Sequence, residues 1–332
     1  MKAFEKVELR VISFGGGQDS AEILNLVRHS SEYAIRYQQN RLLFIFSDTG
    51  DEHEETYQYV REAQAIAQAQ GWEFHWLTKD LGFHTPSWQS LIEAMEKVSM
   101  IVQIGTKSCT DHLKLVPIYK FLDEWINKTY GYGFPVSAER GCRKQAIQKF
   151  YEQYGSIRVQ IGFARGEETQ MQKSINREQK DHEGNTWARA IEREFPLIEL
   201  GLSRADCQED LKRNGQTCPI PSNCMRCPYM SKQELLWLYR KYPEKFEQWC
   251  NLEDAKIAKW LPLEGTQVKD REGNLKFDKK GHPVMFKNNG VFNGKKRLRE
   301  VLTDVLAKYG HMTLEELEAY KFSHGHCVKN AY

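Results

Sequence analysis

The residues of this 332-residue chain whose types and spacing could do chemistry begin at Ser13-Phe14-Gly15-Gly16-Gly17-Gln18-Asp19-Ser20. Glycines let backbone N–H groups come close to an anion, and a helix start behind them adds unpaired donors and a positive dipole end. The chemistry expected here is the cradling of a nucleotide's phosphates. It is not a Walker loop, since no Gly-Lys-Ser/Thr follows the glycines. Nor is it the dinucleotide fingerprint, which needs a glycine where Asp19 or Ser20 stands. A second group, Asp48-Thr49-Gly50, closes an apolar run and precedes Glu52, Glu55, Thr56, Tyr57 and Val60. A third is the CxxC of Cys224 and Cys227, which fits zinc, an iron–sulfur cluster or a redox pair.

These groups need elements to hold them. Residues 9–12, 42–46, 72–77 and 158–162 are apolar or β-prone runs that read as strands. Helices are expected over 21–27, after Glu52, and over 86–98 and 113–128. Another starts near Ser203, where Asp206 completes a capping signal. Residues 170–190 are polar and charged, and read as a mobile loop over the site. The pattern predicts an α/β fold, a doubly wound parallel sheet whose loops at the carboxyl ends of neighbouring strands form a crevice for ligand. From Ser231 the character changes to a mainly helical C-terminal lobe with a short basic hairpin. Domains are therefore expected at 1–230 and 231–332, and no internal repeats are read. Asp19 and Asp48 each have a plainer reading as helix caps.

The glycine loop resembles the PP-loop of the ATP pyrophosphatase superfamily, usually Ser-Gly-Gly-x-Asp-Ser. Gly16, Gly17, Asp19 and Ser20 match, and Gly15 stands where that family has serine. Strand-Asp-Thr-Gly followed by Glu-x-x-Glu-Thr-Tyr resembles its phosphoadenylyl-sulfate (PAPS) reductase-like branch. So do Lys107-Ser108-Cys109-Thr110 with Lys114, Pro117 and Ile118, then Ile161-Gly162-Phe163-Ala164 before Glu167, and Pro196-Leu197-Ile198-Glu199. The resemblance covers roughly residues 8–260 and implies the adenine nucleotide alpha-hydrolase-like (HUP) fold. It implies an ATP or adenylyl-sulfate nucleotide held by Ser13, Gly15, Gly16, Gly17, Gln18, Thr49, Gly50, Lys107, Gly162 and Glu167. Asp19, Ser20 and Asp48 would be catalytic, and Mg2+ would assist. Similar reductases hold an iron–sulfur cluster on a Cys-Cys pair and a CxxC. Here Cys109 matches the first cysteine of the pair and Thr110 takes the second place. Cys109, Cys224 and Cys227 are thus expected as cluster ligands, with Cys218, Cys142 or Cys327 as the fourth and Zn2+ as the alternative metal.

Composition bounds the rest. Lys plus Arg is 47 against 45 Asp plus Glu, a net +2, which does not by itself make a nucleic-acid protein. Residues 269–299 are locally basic, with ten Lys/Arg against three Asp/Glu. They read either as a solvated face or as a contact for a nucleic-acid acceptor. No apolar run approaches the roughly 20 residues that span a bilayer, so no membrane is expected. Eight cysteines without a secretion signal point to metal or redox chemistry in a reducing cytoplasm. Cys207 and Cys250 read as core residues of helices.

Three function classes follow. The first is an enzyme that cleaves ATP between the α and β phosphates to adenylylate a substrate, with sulfur transfer to nucleic acid or a nucleobase. The second is a sulfonucleotide reductase using a mobile thiol such as Cys327. The third is a nucleotide-binding partner subunit without turnover. Intact Asp19-Ser20 and Asp48-Thr49-Gly50 favour an enzyme.

Overall fold

The computed structural model describes residues 6–103, 108–135, 144–270, 272–292 and 294–323. Lys107, Cys142 and Cys327, named above as candidate ligands, lie outside these residues. The chain forms two compact units. One comprises residues 1–86 and 111–223, the other 87–110 and 224–332.

The first unit is an α/β domain around five parallel strands, β1 (Val7–Ser13), β2 (Gln39–Ser47), β3 (Glu73–Leu77), β4 (Ile157–Ile161) and β5 (Ile191–Glu194). Their spatial order is β3-β2-β1-β4-β5. Alternate side chains enter two separate cores, which is why the strands read as continuous apolar runs. Ile12, Phe44 and Phe46 join one core with residues of the helices Gln18–His29, Glu54–Ala69 and Arg204–Arg213. Leu9, Val11, Leu43 and Ile45 join the other, with Ile118, Leu122 and Ile147 from the helices Val116–Thr129 and Gln145–Tyr154. Helices on both faces make the sheet doubly wound.

One expectation for this unit is corrected, and one strand goes unread. Residues 170–190 are not a loop: Glu168–Gly184 is a helix, followed by a short 3-10 turn over Thr186–Ala190. That helix buries none of its residues, so no apolar stripe announces it. It is supported by polar pairs, Arg177 with Asp181 at 3.6 Å and Gln172 with Asn176 at 2.8 Å. β5 escapes sequence reading for a related reason. Its Ile-Glu-Arg-Glu has little apolar signal, and its carboxylates are held from the interior. Arg10, almost wholly buried, bonds both oxygens of Glu194 at 2.9 and 3.1 Å.

The second unit is mainly helical. Lys232–Lys241 is its central helix and packs against Pro243–Trp260, Leu298–Tyr309 and Leu314–Ser323. Leu235, Leu236, Trp237 and Leu238 are buried there, as are Trp249 and Cys250. Pro243 opens its helix at a position where the missing N–H costs nothing. Glu253 caps from inside, accepting from the Val291 N–H at 2.8 Å and the Leu298 N–H at 2.6 Å.

The expectation of no internal repeat is also corrected here. Residues 268–283 repeat with a period of eight, Val-Lys-Asp-Arg-Glu-Gly-Asn-Leu then Lys-Phe-Asp-Lys-Lys-Gly-His-Pro, and Val284-Met285 begins a third copy. Each Asp carboxylate accepts two backbone N–H groups of its own turn: Asp270 from Glu272 and Asn274, Asp278 from Lys280 and His282. Gly273 and Gly281 take φ of 91° and 83°, as does Gly265 at 72°, one period earlier. The Lys276 N–H donates to the Val268 carbonyl at 2.8 Å, Val284 to Lys276 at 2.9 Å, and Val268 to Val284 at 2.8 Å. Three extended segments, joined by isolated bridges, thus close a ring of hydrogen bonds through Val268, Lys276 and Val284. Two imperfect copies of such variable residues are legible only once the glycines are counted.

Candidate active site

The candidate site is built wholly within the first unit. Ser13 ends β1 and stands in register with Ile45 of β2 and Ile161 of β4. Because the strands are parallel, the loops after β1, β2 and β4 all leave the same edge of the sheet. Strand order reverses direction between β1 and β4, so the loops at 14–17 and 162–167 flank the switch point, the usual ligand crevice of such a sheet.

Two glycines of the first loop, Gly16 and Gly17, are required by packing. Gly16 has φ of 71°, and a Cβ there would lie 2.9 Å from side-chain carbons of Thr56 and Val60. A Cβ on Gly17 would lie 2.6 Å from Ser222 Oγ and 2.9 Å from its backbone nitrogen. Gly162 faces Asp19, and a Cβ there would come within 3.0 Å of the Asp19 Cβ. The helix Gln18–His29 starts from Gly17 as its N-cap, not from Asp19. The Ser20 hydroxyl accepts from the Gly17 N–H at 3.2 Å and donates to its carbonyl at 2.9 Å. Among the described residues, the N–H groups of Gly15, Gly16, Asp19 and Ser20 have no hydrogen-bond partner. Four such donors in one turn, at the start of a helix, form an anion cradle.

Charge beside the cradle is arranged by Arg204, the first residue of the helix Arg204–Arg213. Ser203 and Asp206 cap that helix reciprocally, as the spacing predicts. The Arg204 guanidinium lies 3.3 Å from Asp19 Oδ2 and 3.7 Å from Glu167 Oε1. Glu167 also accepts from the Ala164 N–H at 3.1 Å and from Gln170 Nε2 at 3.1 Å. Asp19 Oδ1 and Arg204 Nε are buried without a hydrogen-bond partner among the described residues. Burial pushes the Asp19 carboxyl above its ordinary range, and Arg204 pulls it back. Glu167 is raised by burial and by the neighbouring Asp19 charge, against the pull of Arg204 and the Ala164 N–H. One turn into the first helix, Glu22 is fully buried, and burial pushes it up to about 8.

The loop after β2 is built differently. Asp48 Oδ1 accepts from the Tyr57 hydroxyl at 2.8 Å and the Gly50 N–H at 2.7 Å, and its Oδ2 from Trp76 Nε1 at 3.1 Å. His84 Nε2 lies 2.9 Å from the Asp48 carbonyl. Asp48 is therefore the anchor of its own loop and does not cap the next helix, whose N-cap is His53. Thr49 Oγ1 donates to Glu52 Oε1 at 2.9 Å, and Lys114 Nζ lies 3.8 Å from the same oxygen. Gln18 is buried and accepts from Gln208 Nε2 at 3.1 Å.

Cys109, Cys218, Cys224 and Cys227 are half-buried. Among the described residues, no three His, Cys, Asp or Glu side chains gather as a group that could hold a metal ion. Cys207 and Cys250 are core residues, and burial raises both thiols. Among the described residues, no helix is long and apolar enough to cross a membrane.

Sequence reasoning misses Arg204 and Ser222. Arg204 carries no motif, and only its place at the start of a capped helix sets it apart. Ser222 carries no motif either, and it packs on Gly15 and Gly17.

No family model matches the chain. A stretch of 136 residues is 30% identical to the Uncharacterized nin region protein ORF290 of Escherichia phage lambda. The match takes in 36% of this chain and 44% of that protein, so the chain spans less than half of that relative's length.

Proposed function

We propose that this chain is a PAPS reductase-like PP-loop enzyme on the HUP version of the doubly wound fold, which cleaves ATP between the α and β phosphates to adenylylate a substrate. The acceptor we assign is nucleic acid or a nucleobase, with sulfur transfer as the step that follows. One observation carries the reading: four partnerless N–H donors and a guanidinium meet at the strand-order switch point.

In this reading a substrate oxygen attacks the α-phosphorus and the α–β bridging bond breaks. Pyrophosphate leaves, and the electron pair of the broken bond stays on its oxygen. The N–H groups of Gly15, Gly16, Asp19 and Ser20 stabilise the charge that builds on the leaving group. Arg204, held by Asp19 and Glu167 in the absence of nucleotide, turns one face to the phosphates. Mg2+ would enter with ATP and neutralise phosphate charge, and Asp19, whose Oδ1 has no protein partner, is the carboxylate that fits it. Asp48 shapes the β2 loop and takes no part in proton transfer. The bond changes of this step need no thiol, so the expected metal ligands Cys109, Cys224 and Cys227 are assigned no part in it.

Product analysis with α-labelled ATP tests this. Labelled adenylylated acceptor or AMP together with pyrophosphate is expected. ADP with inorganic phosphate would overturn the α–β reading.

A further inference from the structure

The ring of three extended segments in the second unit has a surface with no role in the ATP chemistry. Its bridges pair Gln267 with Met285, Lys269 with Leu275, and Phe277 with Pro283. Paired residues share a face, so Leu275, Phe277, Pro283, Met285 and Lys269 lie together. Leu275, Phe277 and Met285 are 50%, 55% and 44% exposed, large apolar side chains spent on solvent. The same stretch carries Lys269, Lys276, Lys279, Lys280 and Lys287, all exposed. None of the five makes an ion pair among the described residues. Of the four acids in the same stretch, Asp270 and Asp278 point their carboxylates at the N–H groups of their own turns and Glu264 accepts from the Asn288 N–H, which leaves Glu272 as the exposed acid. Asp270 and Asp278 are held below the usual carboxylate range by those bonds, so they stay ionised and tied.

We propose that this octad module, residues 264–287, is a binding site for single-stranded nucleic acid, with Phe277 stacking on a base and the lysines contacting phosphates. An exposed ring among unpaired lysines is the arrangement that reads unstacked bases without sequence preference. Lysine is depleted at the centre of protein–protein interfaces, which argues against a protein partner for the same surface. Double-stranded nucleic acid would meet the lysines but leave Phe277 without an unstacked base. The proposal deepens the acceptor part of the function assigned above and does not depend on the ATP step.

The test is fluorescence anisotropy of the full chain with a short labelled oligothymidine and with a duplex of the same length, across a salt series. The single strand is expected to bind more tightly than the duplex. Phe277→Ala should weaken it about tenfold, and Lys279→Ala/Lys280→Ala should reduce the salt slope by about 1.4. These side chains are exposed, so circular dichroism should be unchanged. Equal affinity for duplex, or a Phe277→Ala protein that binds as before, would overturn the proposal. So would concentration-dependent self-association abolished by Phe277→Ala without oligonucleotide binding, which would make the surface a contact between copies. Pyrophosphate release from ATP, alone and with single-stranded DNA or tRNA, is measured alongside. Oligonucleotide binding with no release would defeat the ATP reading and leave this one standing; release without binding would do the reverse.

Discussion

The loops after β1 and β2 leave the same edge of one sheet, and both end in small and acidic residues. They spend their polar groups in opposite ways. In the second, both Asp48 oxygens and the Gly50 N–H are consumed by bonds within the protein. In the first, four backbone donors and Asp19 Oδ1 have no partner among the described residues. Asp19 Oδ1 is buried without a partner, which costs free energy unless something completes it. In the proposed reading the contrast separates a residue that shapes the site from residues that would meet the nucleotide, although one motif resemblance marks both.

Substitutions can break that comparison. The largest effect is expected from Gly17→Ala, whose methyl would press on Ser222 backbone as well as its hydroxyl. A loss of roughly 3 kcal/mol is expected in chemical denaturation. Ser222→Ala should recover only part of it, because the backbone nitrogen at 2.9 Å remains. Next comes Asp48→Ala, which strands the Tyr57 hydroxyl, the Trp76 indole and the Gly50 N–H, and should cost about 2–3 kcal/mol. Asp19→Asn should cost less than about 1 kcal/mol, since it removes a charge disfavoured by burial. Equal losses for these two variants would erase the distinction between the loops.

A pH series sharpens the same point from inside the first helix. Glu22 has an ordinary pKa of 4.5 that burial pushes up to about 8. Between those values the folded chain holds a proton that the unfolded chain has released. Stability from this group is therefore full below the lower value and falls as pH rises to the upper one. Glu22→Gln cannot lose a proton, so its stability relative to the parent should rise across that window by a few kcal/mol at most. Denaturation midpoints at about pH 5 and about pH 9 check this; a constant difference would mean Glu22 is ionised in the fold.

Four of five strands were legible because burial on both faces makes them apolar runs, and the capped start at Ser203 was legible from its spacing. β5 and the helix Glu168–Gly184 were not, because neither presents an apolar pattern: β5 is held by Arg10, far away in sequence, and the helix by Arg193 and by polar pairs along its own length. At the site, the glycine loop was legible because backbone approach restricts residue type. Arg204 was not, since it reaches Asp19 across 185 positions. Asp48 was legible as a site residue, while its plainer reading as a cap fails because the next helix starts from His53 and the Asp48 carboxylate is held by Tyr57, Trp76 and the Gly50 N–H.

The most direct test of the central claim is pyrophosphate release from ATP by the purified chain, alone and with single-stranded DNA or tRNA, beside Ser20→Ala and Arg204→Gln. The account predicts release by the parent, and a loss of at least about tenfold for Arg204→Gln in a chain that remains folded. No release under any of these conditions, or release unchanged by both substitutions, would contradict it.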